Sequence, residues 1–370
     1  MTSPFGIQTQ PVRLRDGHDN FFTPLRLIFA LMVVVGHAFV ISGGGSEHEP
    51  LILFGYSASY LAVNLFFVAS GYMVTASMLR RGDGPNFLAA RFIRIYPALI
   101  VHVGLIMFVV GPLASSLPLS AYLATPSLWL EPFKVLSFVD TDLVLPGAFE
   151  QNGEQLASAP LWTLRYEVLC YIATLAAFSL GLMRRRWMVL LQFVAPAIIW
   201  IVAVSNGLFD TMPASIEAMV RFSLAYGMGA VAYAYKDRIQ LRWSYVPLLF
   251  GLSWLCQGTA IGDVAIDLMV GIVVLLLAFA HAPNLERFQS IEDVSYGVYI
   301  YHWPVMQLLV HWMPGIGTAE LLAFALPIIL TLSWASWTYV EKPMLRYKTP
   351  LGQWLRFGRP EPVLRPQLTD

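Results

Sequence analysis

The sequence predicts an all-α fold: a polytopic bundle of about ten transmembrane helices with both termini in the cytoplasm. Hydrophobic residues make up 57% of the 370 residues and charged residues only 12%, about half the charge of a soluble domain. A water-soluble protein of this length would need more polar surface than the chain offers. The formal net charge of zero gives no reason to expect nucleic acid as a partner.

Ten mostly apolar runs approach the roughly 20 residues that a spanning helix needs. They cover residues 22–42, 57–79, 95–115, 161–182, 187–204, 217–235, 243–257, 264–281, 294–312 and 319–340. The seventh run is the shortest. We therefore divide the chain into a cytoplasmic lead-in at 1–21, a transmembrane domain at 22–348 and a cytoplasmic tail at 349–370.

Basic residues collect in every second connection, which sets the expected orientation. The basic connections contain Arg13, Arg15, Arg80, Arg81, Arg91, Arg94, Arg184, Arg185, Arg186, Lys236, Arg238, Arg242 and Arg287, and further basic residues follow the last run. The opposite connections are acidic, with Lys134 as their one Lys or Arg. Because cytoplasmic loops carry the excess of Lys and Arg, both termini are predicted to be cytoplasmic. The longest outer connection, 116–160, could cap a site from outside or have no role.

Two polar residues lie within the first apolar run, where a charge costs at least ~2.5–3.5 kcal/mol. Arg26 and His37 are eleven residues apart, so they share one helix face about 16 Å apart along the axis. A cation near one end and an acid/base group near the other favour a reaction path across the membrane. The structural alternatives are an interface anchor for Arg26 and an inert buried histidine for His37.

The fourth run carries Arg165 and Glu167. Counted from the outer end of each helix, Glu167 is about 9 Å deep and His37 about 8 Å deep. A carboxylate at matched depth would orient the imidazole and raise its basicity. Alternatively, Glu167 forms an ion pair with Arg165 or Arg221 that holds helices together.

Arginines and a second histidine complete the candidate residues. Arg91 and Arg94 lie at the cytoplasmic mouth of the third run, where guanidinium groups can bind phosphates. His302 is followed by Pro304, which would open the helical hydrogen-bond ladder and could line a cavity; equally, His302 could only bond a neighbouring helix. The two cysteines, Cys170 and Cys256, have no metal-binding spacing, and no metal site is predicted.

Seven motifs in order along residues 20–348 resemble one known family, the membrane acyltransferase-3 family. They are the Arg-x10-His spacing of Arg26 and His37, FFVASGYM (66–73), RFIRIYP (91–97), LWTLRYE (161–167), RFSLAYGMGA (221–230), SYGVYIYHWP (295–304) and YVEKP (339–343). Each motif is weak alone, whereas their joint order is specific. Ala69 departs from the larger apolar residue that is frequent before Ser-Gly.

The resemblance implies a membrane O-acyltransferase, mostly an O-acetyltransferase in this family, acting on surface polysaccharides, nodulation factors, peptidoglycan or antibiotics. It implies that cytoplasmic acyl-CoA, most simply acetyl-CoA, is the co-substrate and that no cofactor is permanently bound. Arg26 would then contact the donor, His37 would do acid/base work, Arg91 and Arg94 could bind coenzyme A phosphates, and Glu167 would be the partner of His37. From the same motifs Ser70, Tyr72 and Trp162, with His302, are candidates for lining the cavity.

The expected partners are the lipid bilayer, acyl-CoA and a glycan or lipid-linked saccharide acceptor, with polysaccharide-assembly proteins as further candidates. The expected location is the inner membrane of a bacterium. No soluble esterase domain of the SGNH type follows the tenth run, so we expect direct transfer or hand-over to another protein. Two other classes are a proton-coupled glycan or lipid transporter (a flippase) and a non-catalytic partner in a polysaccharide-assembly complex.

Overall fold

The structure, a computed structural model, describes residues 11–16, 20–280, 287–356 and 369 and is mostly helical. In chain order the helices are α1 (Phe22–Gly43), α2 (Ala58–Arg81), α3 (Gly84–Leu105), α4 (Gly111–Ala114), α5 (Leu119–Ala124), α6 (Pro126–Leu136), α7 (Trp162–Ser179), α8 (Arg186–Ser205), α9 (Ala214–Ala234), α10 (Tyr245–Leu255), α11 (Ala260–Ala278), α12 (Ser295–Trp312), α13 (Thr318–Ser336), α14 (Lys342–Met344) and α15 (Lys348–Trp354). Two π-helical turns, Ile106–Val110 and Trp337–Glu341, join α3 to α4 and α13 to α14 respectively.

Among the described residues, four short strands depart from the purely helical prediction. Strand β1 (Val12–Arg13) pairs antiparallel with β4 (Gln240–Leu241), and β2 (Leu51–Leu53) pairs antiparallel with β3 (Tyr56–Ser57). They are two or three residues long, so they connect loops without forming a sheet layer.

Each of the ten predicted runs overlaps a helix. In the described part of the chain, six helical stretches are long and apolar enough to cross a membrane: Phe22–Gly43, Ala58–Arg81, Gly84–Ala114, Arg186–Ser205, Ala260–Ala278 and Thr318–Trp354. Helix α10, at 11 residues, is only about 16 Å long. Helices α7, α9 and α12 carry Glu167, Arg221 and His302 respectively, which lowers their apolar character. A bundle of apolar helices is thus confirmed, while ten crossings stay a prediction.

Helix α2 lies in the middle of the bundle. Its most apolar stretch is 89% buried, against 22% for α8, whose exposed side chains suit contact with lipid. Glycines allow α2 and α9 to pack closely: a Cβ on Gly71 would lie 2.0 Å from the Tyr226 carbonyl oxygen, and one on Gly229 would lie 2.0 Å from that of Val68. Small residues at such a crossing let two backbones approach, as is common between membrane helices.

The long connection between α4 and α7 is a packed cap and not an extended loop. Leu128, Leu143 and Phe149 are fully buried in it, and the Trp303 indole N–H donates to the Leu156 carbonyl at 2.8 Å. The amide of Gln307 donates to the carbonyls of Glu154 and Leu156 at 2.7 and 2.9 Å. The cap is thereby fixed to the second half of α12.

Part of the predicted tail, 349–370, is helical and packed. Helix α15 contacts α3, and Arg356 donates to the Asp83 carboxylate at 2.5 Å in a buried ion pair. Residues 357–368 and 370 of that tail, and 1–10 and 17–19 of the predicted lead-in, lie outside the described residues.

Candidate functional site

A cavity of about 460 Å³ opens among α1, α2, α3, α7 and α12. Cationic side chains dominate its charge: it is lined by Arg15, Arg26, Arg80, Arg81, Arg91, Arg94 and Lys348, with Asp16, Glu167 and Asp293 as carboxylates. Most of these cations come from the end of α2, the start of α3 and the chain before α1. The polar residues therefore gather at the end of the bundle where the sequence predicts the cytoplasm.

Two of the predicted donor-binding arginines share one carboxylate. Arg26 Nη1 and Arg94 Nη2 lie 2.6 and 2.8 Å from the same oxygen of Asp293. Arg94 Nη1 also lies 3.5 Å from Glu341 Oε2, and the Ser295 hydroxyl donates to Asp293 at 2.5 Å. This arrangement fastens α1 and α3 to the start of α12.

The charge state of Asp293 follows from those contacts. Burial alone would raise the pKa of the Asp293 carboxyl, but the neighbouring Arg26 and Arg94 outweigh burial and hold the pKa below its ordinary value of 3.8. Asp293 is thus an anion at neutral pH. It neutralises part of the positive charge that Arg26 and Arg94 bring to the cavity.

Arg91 is placed differently from Arg94, although it is three residues away. Its guanidinium lies 5.4 Å from the centroid of the Tyr171 ring and 5.9 Å from that of Phe87, and its Nε has no hydrogen-bond partner. Among the described residues, no carboxylate lies within ion-pairing distance of Arg91, Arg80, Arg81 or Lys348. These four cations keep their capacity to bind an anionic ligand.

Glu167 lines this cavity, but the structure does not bring it together with His37. The Tyr171 hydroxyl, one turn along α7, donates to the Glu167 carboxylate. In the described structure Glu167 forms no ion pair with Arg165 or Arg221, and Arg165 instead donates to the Val139 carbonyl of the cap at 3.3 Å. Helix α7 packs on α2, α3 and α9, whereas α1 packs on α2, α12 and α13. Equal depth in the membrane does not determine which side of the bundle a residue faces.

His37 instead pairs with the other histidine singled out from the sequence. His37 Nδ1 and His302 Nε2 are 2.9 Å apart, and the Trp303 ring stands edge-on to His37 at 5.1 Å. His302 is fully buried, and its Nδ1 lies 3.2 Å from the Val298 carbonyl oxygen. The pair lies beneath the cap, which is bonded to the next residues of α12.

The contacts of His302 assign the protons on both rings. A carbonyl oxygen only accepts, so His302 Nδ1 must carry the proton that it shares with Val298. A neutral His302 then accepts at Nε2, and His37 Nδ1 must donate to it. The remaining nitrogen of His37, Nε2, consequently keeps its lone pair, and no hydrogen bond within the described residues occupies it.

A short layer of aromatic side chains separates the cavity from the histidine pair. Tyr299 lines the cavity, its ring centroid lies 6.2 Å from that of His302, and its hydroxyl lies 2.7 Å from the Thr163 hydroxyl. Phe66 packs edge-on against Tyr299 at 5.8 Å. The cavity therefore ends within one side chain of the histidines.

The remaining predicted residues divide into two groups. Ser70 and Tyr72 line the cavity with Arg26, Arg91 and Arg94, and the Tyr72 hydroxyl donates to the Arg15 carbonyl at 2.9 Å. Trp162 lies outside the lining and packs on Phe222 at 5.5 Å, and His302 lies beyond Tyr299. Asp293 was not among the residues predicted from the sequence. An acidic residue at the cytoplasmic start of an otherwise apolar helix could have pointed to it.

Comparison with known proteins identifies the family of the chain. The family model described as "Acyltransferase domain" matches residues 20–340, most of the chain. The chain belongs to the acyltransferase-3 family. An O-acetyl transferase of Shigella phage Sf6 is 27% identical over 335 residues, covering 90% of this chain and 98% of the relative. Nodulation protein 10 of Rhizobium leguminosarum bv. viciae is 27% identical over 380 residues, covering 91% and 96%.

No solved structure matches this acyltransferase, so its geometry has to be interpreted from its own contacts. Arg26, His37, Arg91, Arg94 and Glu167 all fall within the matched range. What the structure adds is their grouping: an arginine cavity containing Glu167, and a histidine pair beyond it.

Proposed function

We propose that this acyltransferase is an O-acetyltransferase that takes an acyl group from acyl-CoA, most simply acetyl-CoA, at the arginine-lined cavity. It passes the group to a hydroxyl of a glycan or glycolipid arriving from the opposite side of the bacterial inner membrane. The observation that carries this proposal is the position of a cationic cavity whose inner end stops next to the His37–His302 pair. The family match and the O-acetyl transferase relative support the acyl chemistry.

Coenzyme A is polyanionic, and the cavity offers matching charge. Arg80, Arg81, Arg91 and Lys348 have no carboxylate partner in the described structure, so phosphates would complete contacts that are now unfilled. Arg26 and Arg94 are held by Asp293, and their net effect on the donor is smaller. We therefore assign the main phosphate contacts to Arg91 and its neighbours, and a positioning part to Arg26 and Arg94.

His37 Nε2 supplies the base. It removes the proton from the acceptor hydroxyl as the oxygen attacks the thioester carbonyl. The tetrahedral intermediate then expels the coenzyme A thiolate, which takes the proton back from the His37 imidazolium. His302, neutral and accepting at Nε2, stabilises that imidazolium through the His37 Nδ1–H, the part that a carboxylate plays in other acid/base pairs.

The acceptor would reach His37 from the cap side. Residues 115–161 cover the second half of α12, and through Arg165 the cap is also bonded to α7. The His37–His302 pair and the Gln307 amide make the interior beneath the cap polar, which suits a hydroxyl-bearing ligand more than a lipid tail. Proteins of a polysaccharide-assembly complex are further partners in this proposal.

The test is acetyl transfer by the purified protein with labelled acetyl-CoA and an extract of cells lacking the gene. We expect His37→Ala to abolish transfer while the protein still accumulates in the membrane. Arg91→Ala should raise the KM for acetyl-CoA about tenfold or more, because a charge-assisted contact to phosphate is lost. His48→Ala, an exposed histidine of the loop after α1, is the matched control and should transfer normally.

Undiminished transfer by His37→Ala would contradict the proposal. A flippase, the other function expected from buried His and Glu residues, would move an unmodified glycan without acetyl-CoA. If cells that lack the gene no longer move the glycan across the membrane but keep all acetyl groups on their glycans, the flippase is favoured.

A further inference from the structure

A second polar group lies at the end of the bundle opposite the arginine cavity. It is formed where the starts of α2, α9 and α11 meet, far from the Arg80 end of α2. We call it the outer polar cluster, and its members are Tyr56, Tyr60, Asn64, Arg221, Asp263 and Asp267. The acyl-transfer scheme above uses none of them.

The two carboxylates are oriented by neighbouring donors. Asp263 accepts from the Tyr56 hydroxyl at 2.5 Å and from the Trp200 indole N–H at 3.1 Å. Asp267 accepts from Asn64 Nδ2 at 2.9 Å. Neither residue belongs to the fully buried core.

Other polar atoms of the cluster are left without partners. Asn64 is only 1% exposed, and its Oδ1 has no hydrogen-bond partner. The Arg221 guanidinium is stacked 4.0 Å from the centroid of the Tyr60 ring and 4.4 Å from that of Phe222, and its Nε is also unpartnered. Within the described residues Arg221 has no carboxylate at ion-pairing distance.

This arrangement differs from a network that only holds helices together. In such a network buried polar groups satisfy one another, because each unsatisfied group in a membrane interior costs free energy. Here Arg221 forms no ion pair with Asp263 or Asp267 among the described residues, and the buried Asn64 Oδ1 and Arg221 Nε are left without hydrogen bonds. A polar ligand would complete these contacts.

The cluster is close to the arginine cavity. Val63, next to Asn64, and Phe67, one turn further along α2, both line the cavity. Phe67 stacks on Phe222 with ring centroids 4.3 Å apart, and Arg221 lies on that same Phe222 ring. One aromatic layer thus separates the two polar regions.

The mixture of groups identifies the chemistry of the ligand. The Asp263 carboxylate would repel a phosphate, and Arg221 would repel an ammonium group. Neutral hydroxyls both donate to carboxylates and an amide oxygen and accept from a guanidinium. Exposed aromatic faces nearby, such as Trp162 at 36% exposure, suit the apolar faces of sugar rings.

We propose that the outer polar cluster is the subsite that binds a hydroxyl-rich carbohydrate acceptor, an inference that rests on the proposed acetyltransferase function. Asp267 and Asn64 bind acceptor hydroxyls, and Arg221 donates to ring or hydroxyl oxygens. The cluster positions the sugar and takes no part in breaking the thioester.

The experiment measures transfer from labelled acetyl-CoA to the glycan and lipid extract of cells lacking the gene, with the extract titrated as acceptor. Asp267→Asn and Arg221→Lys should each raise the half-saturating amount of extract about tenfold or more, as expected for one lost hydrogen bond to a charged group. The KM for acetyl-CoA should stay within about twofold of the wild-type value, since the arginine cavity is unchanged. Asn64→Ser, which removes the unpartnered Oδ1, is the milder variant if either of these fails to fold. Asp210→Asn, an exposed carboxylate at the same end, is the matched control and should behave as wild type.

A binding measurement separates this inference from the proposed function. Water-soluble oligosaccharide released from the same extract should bind the wild type and His37→Ala alike, and bind Asp267→Asn or Asn64→Ser more weakly. Unchanged binding and unchanged acceptor dependence in correctly folded cluster variants would overturn the subsite. A lower maximal rate with unchanged acceptor dependence would also overturn it. If the wild type binds the oligosaccharide but transfers no acetyl group, the proposed function fails. The comparison of binding between the wild type and the cluster variants then still tests the subsite.

Discussion

At residue scale, the hydrogen bond between His37 and His302 determines which nitrogen of His37 is free to act. Val298 fixes the proton on His302, and His302 in turn fixes the proton on His37. We expect His302→Leu to lower acetyl transfer about 10–100-fold, as when a group that orients a metal-binding histidine is lost. His302→Gln should retain more activity, because its side-chain oxygen can still accept from His37 Nδ1. The measurement is the pH–rate profile of each variant.

His311→Leu is the control, since it makes the same change further along α12 without contact to His37. Equal losses in His302→Leu and His302→Gln, with an unaltered pH profile, would mean that His302 only fills space.

Asp293 leads to a prediction about pH and stability. Its carboxylate holds Arg26 and Arg94, whose side chains are only 18% and 17% exposed, so Asp293→Asn should cost about 3 kcal/mol of folding free energy. Because the pKa of Asp293 is lowered in the folded protein, its contribution is fully present above the ordinary value of 3.8 and is lost as the pH falls through the folded pKa. Thermal unfolding of wild type and variant should therefore differ at pH 7 and converge in acid.

Asp237→Asn provides the comparison for Asp293. Asp237 is also paired with an arginine, Arg186, and its pKa is also lowered, but its side chain is 54% exposed. Exposed pairs contribute about 0–1 kcal/mol, so this variant should unfold almost as the wild type does. Equal destabilisation by both substitutions would refute a special position for Asp293.

The sequence predicted individual site residues better than their pairings. Arg26 and His37 could be placed on one face because both are on the same helix, where spacing determines geometry. The partners of Glu167 and His37 depend on how helices are arranged around the bundle, and a depth count carries no such information. Asp293 was missed for a related reason, since its two arginines come from α1 and α3.

At the scale of helices, the packing of α2 on α9 depends on glycine. A Cβ at Gly229 would lie 2.0 Å from a backbone oxygen of α2, and backbone cannot give way as a flexible side chain can. Gly229→Ala should destabilise the protein by about 3 kcal/mol or prevent folding. The yield of monodisperse protein and its thermal midpoint measure this.

Gly104→Ala is the matched control in α3. No atom lies within 4 Å of the added Cβ there, and alanine is about 0.5–1 kcal/mol better than glycine inside a helix. We expect normal or slightly increased stability. If Gly229→Ala were equally well tolerated, the close approach of α2 and α9 would not be a requirement of the fold.

The helices themselves were predictable because a long apolar run has few alternatives to a helix in lipid. For residues 116–160 a cap was one of two alternatives, but their packed fold was not predictable, since they lack the periodicity of a long helix and fold by burying scattered side chains such as Leu143 and Phe149. The helices that are least apolar, α7, α9 and α12, are the ones that carry Glu167, Arg221 and His302. The polar residues that make these helices harder to predict as membrane spans therefore also indicate where functional residues lie.

At the scale of the whole molecule, the site has two ends. The arginine cavity lies at one end of the bundle, the cap and the outer polar cluster lie at the other, and His37 lies between them. Such an arrangement is useful only if the two ends face different compartments. Its orientation in the membrane is therefore a functional prediction as well as a topological one.

The distribution of Arg and Lys predicts that the cavity end faces the cytoplasm. In a background in which Cys170 and Cys256 are replaced by serine, single cysteines at Glu47 and Asp237 report on the two ends, since both positions are exposed. A maleimide that cannot cross membranes should label Glu47→Cys in intact cells and Asp237→Cys only after lysis. Labelling of Asp237→Cys in intact cells would place the arginine cavity outside, where no acyl-CoA is available. Both the predicted orientation and acyl-CoA as the donor would then be wrong.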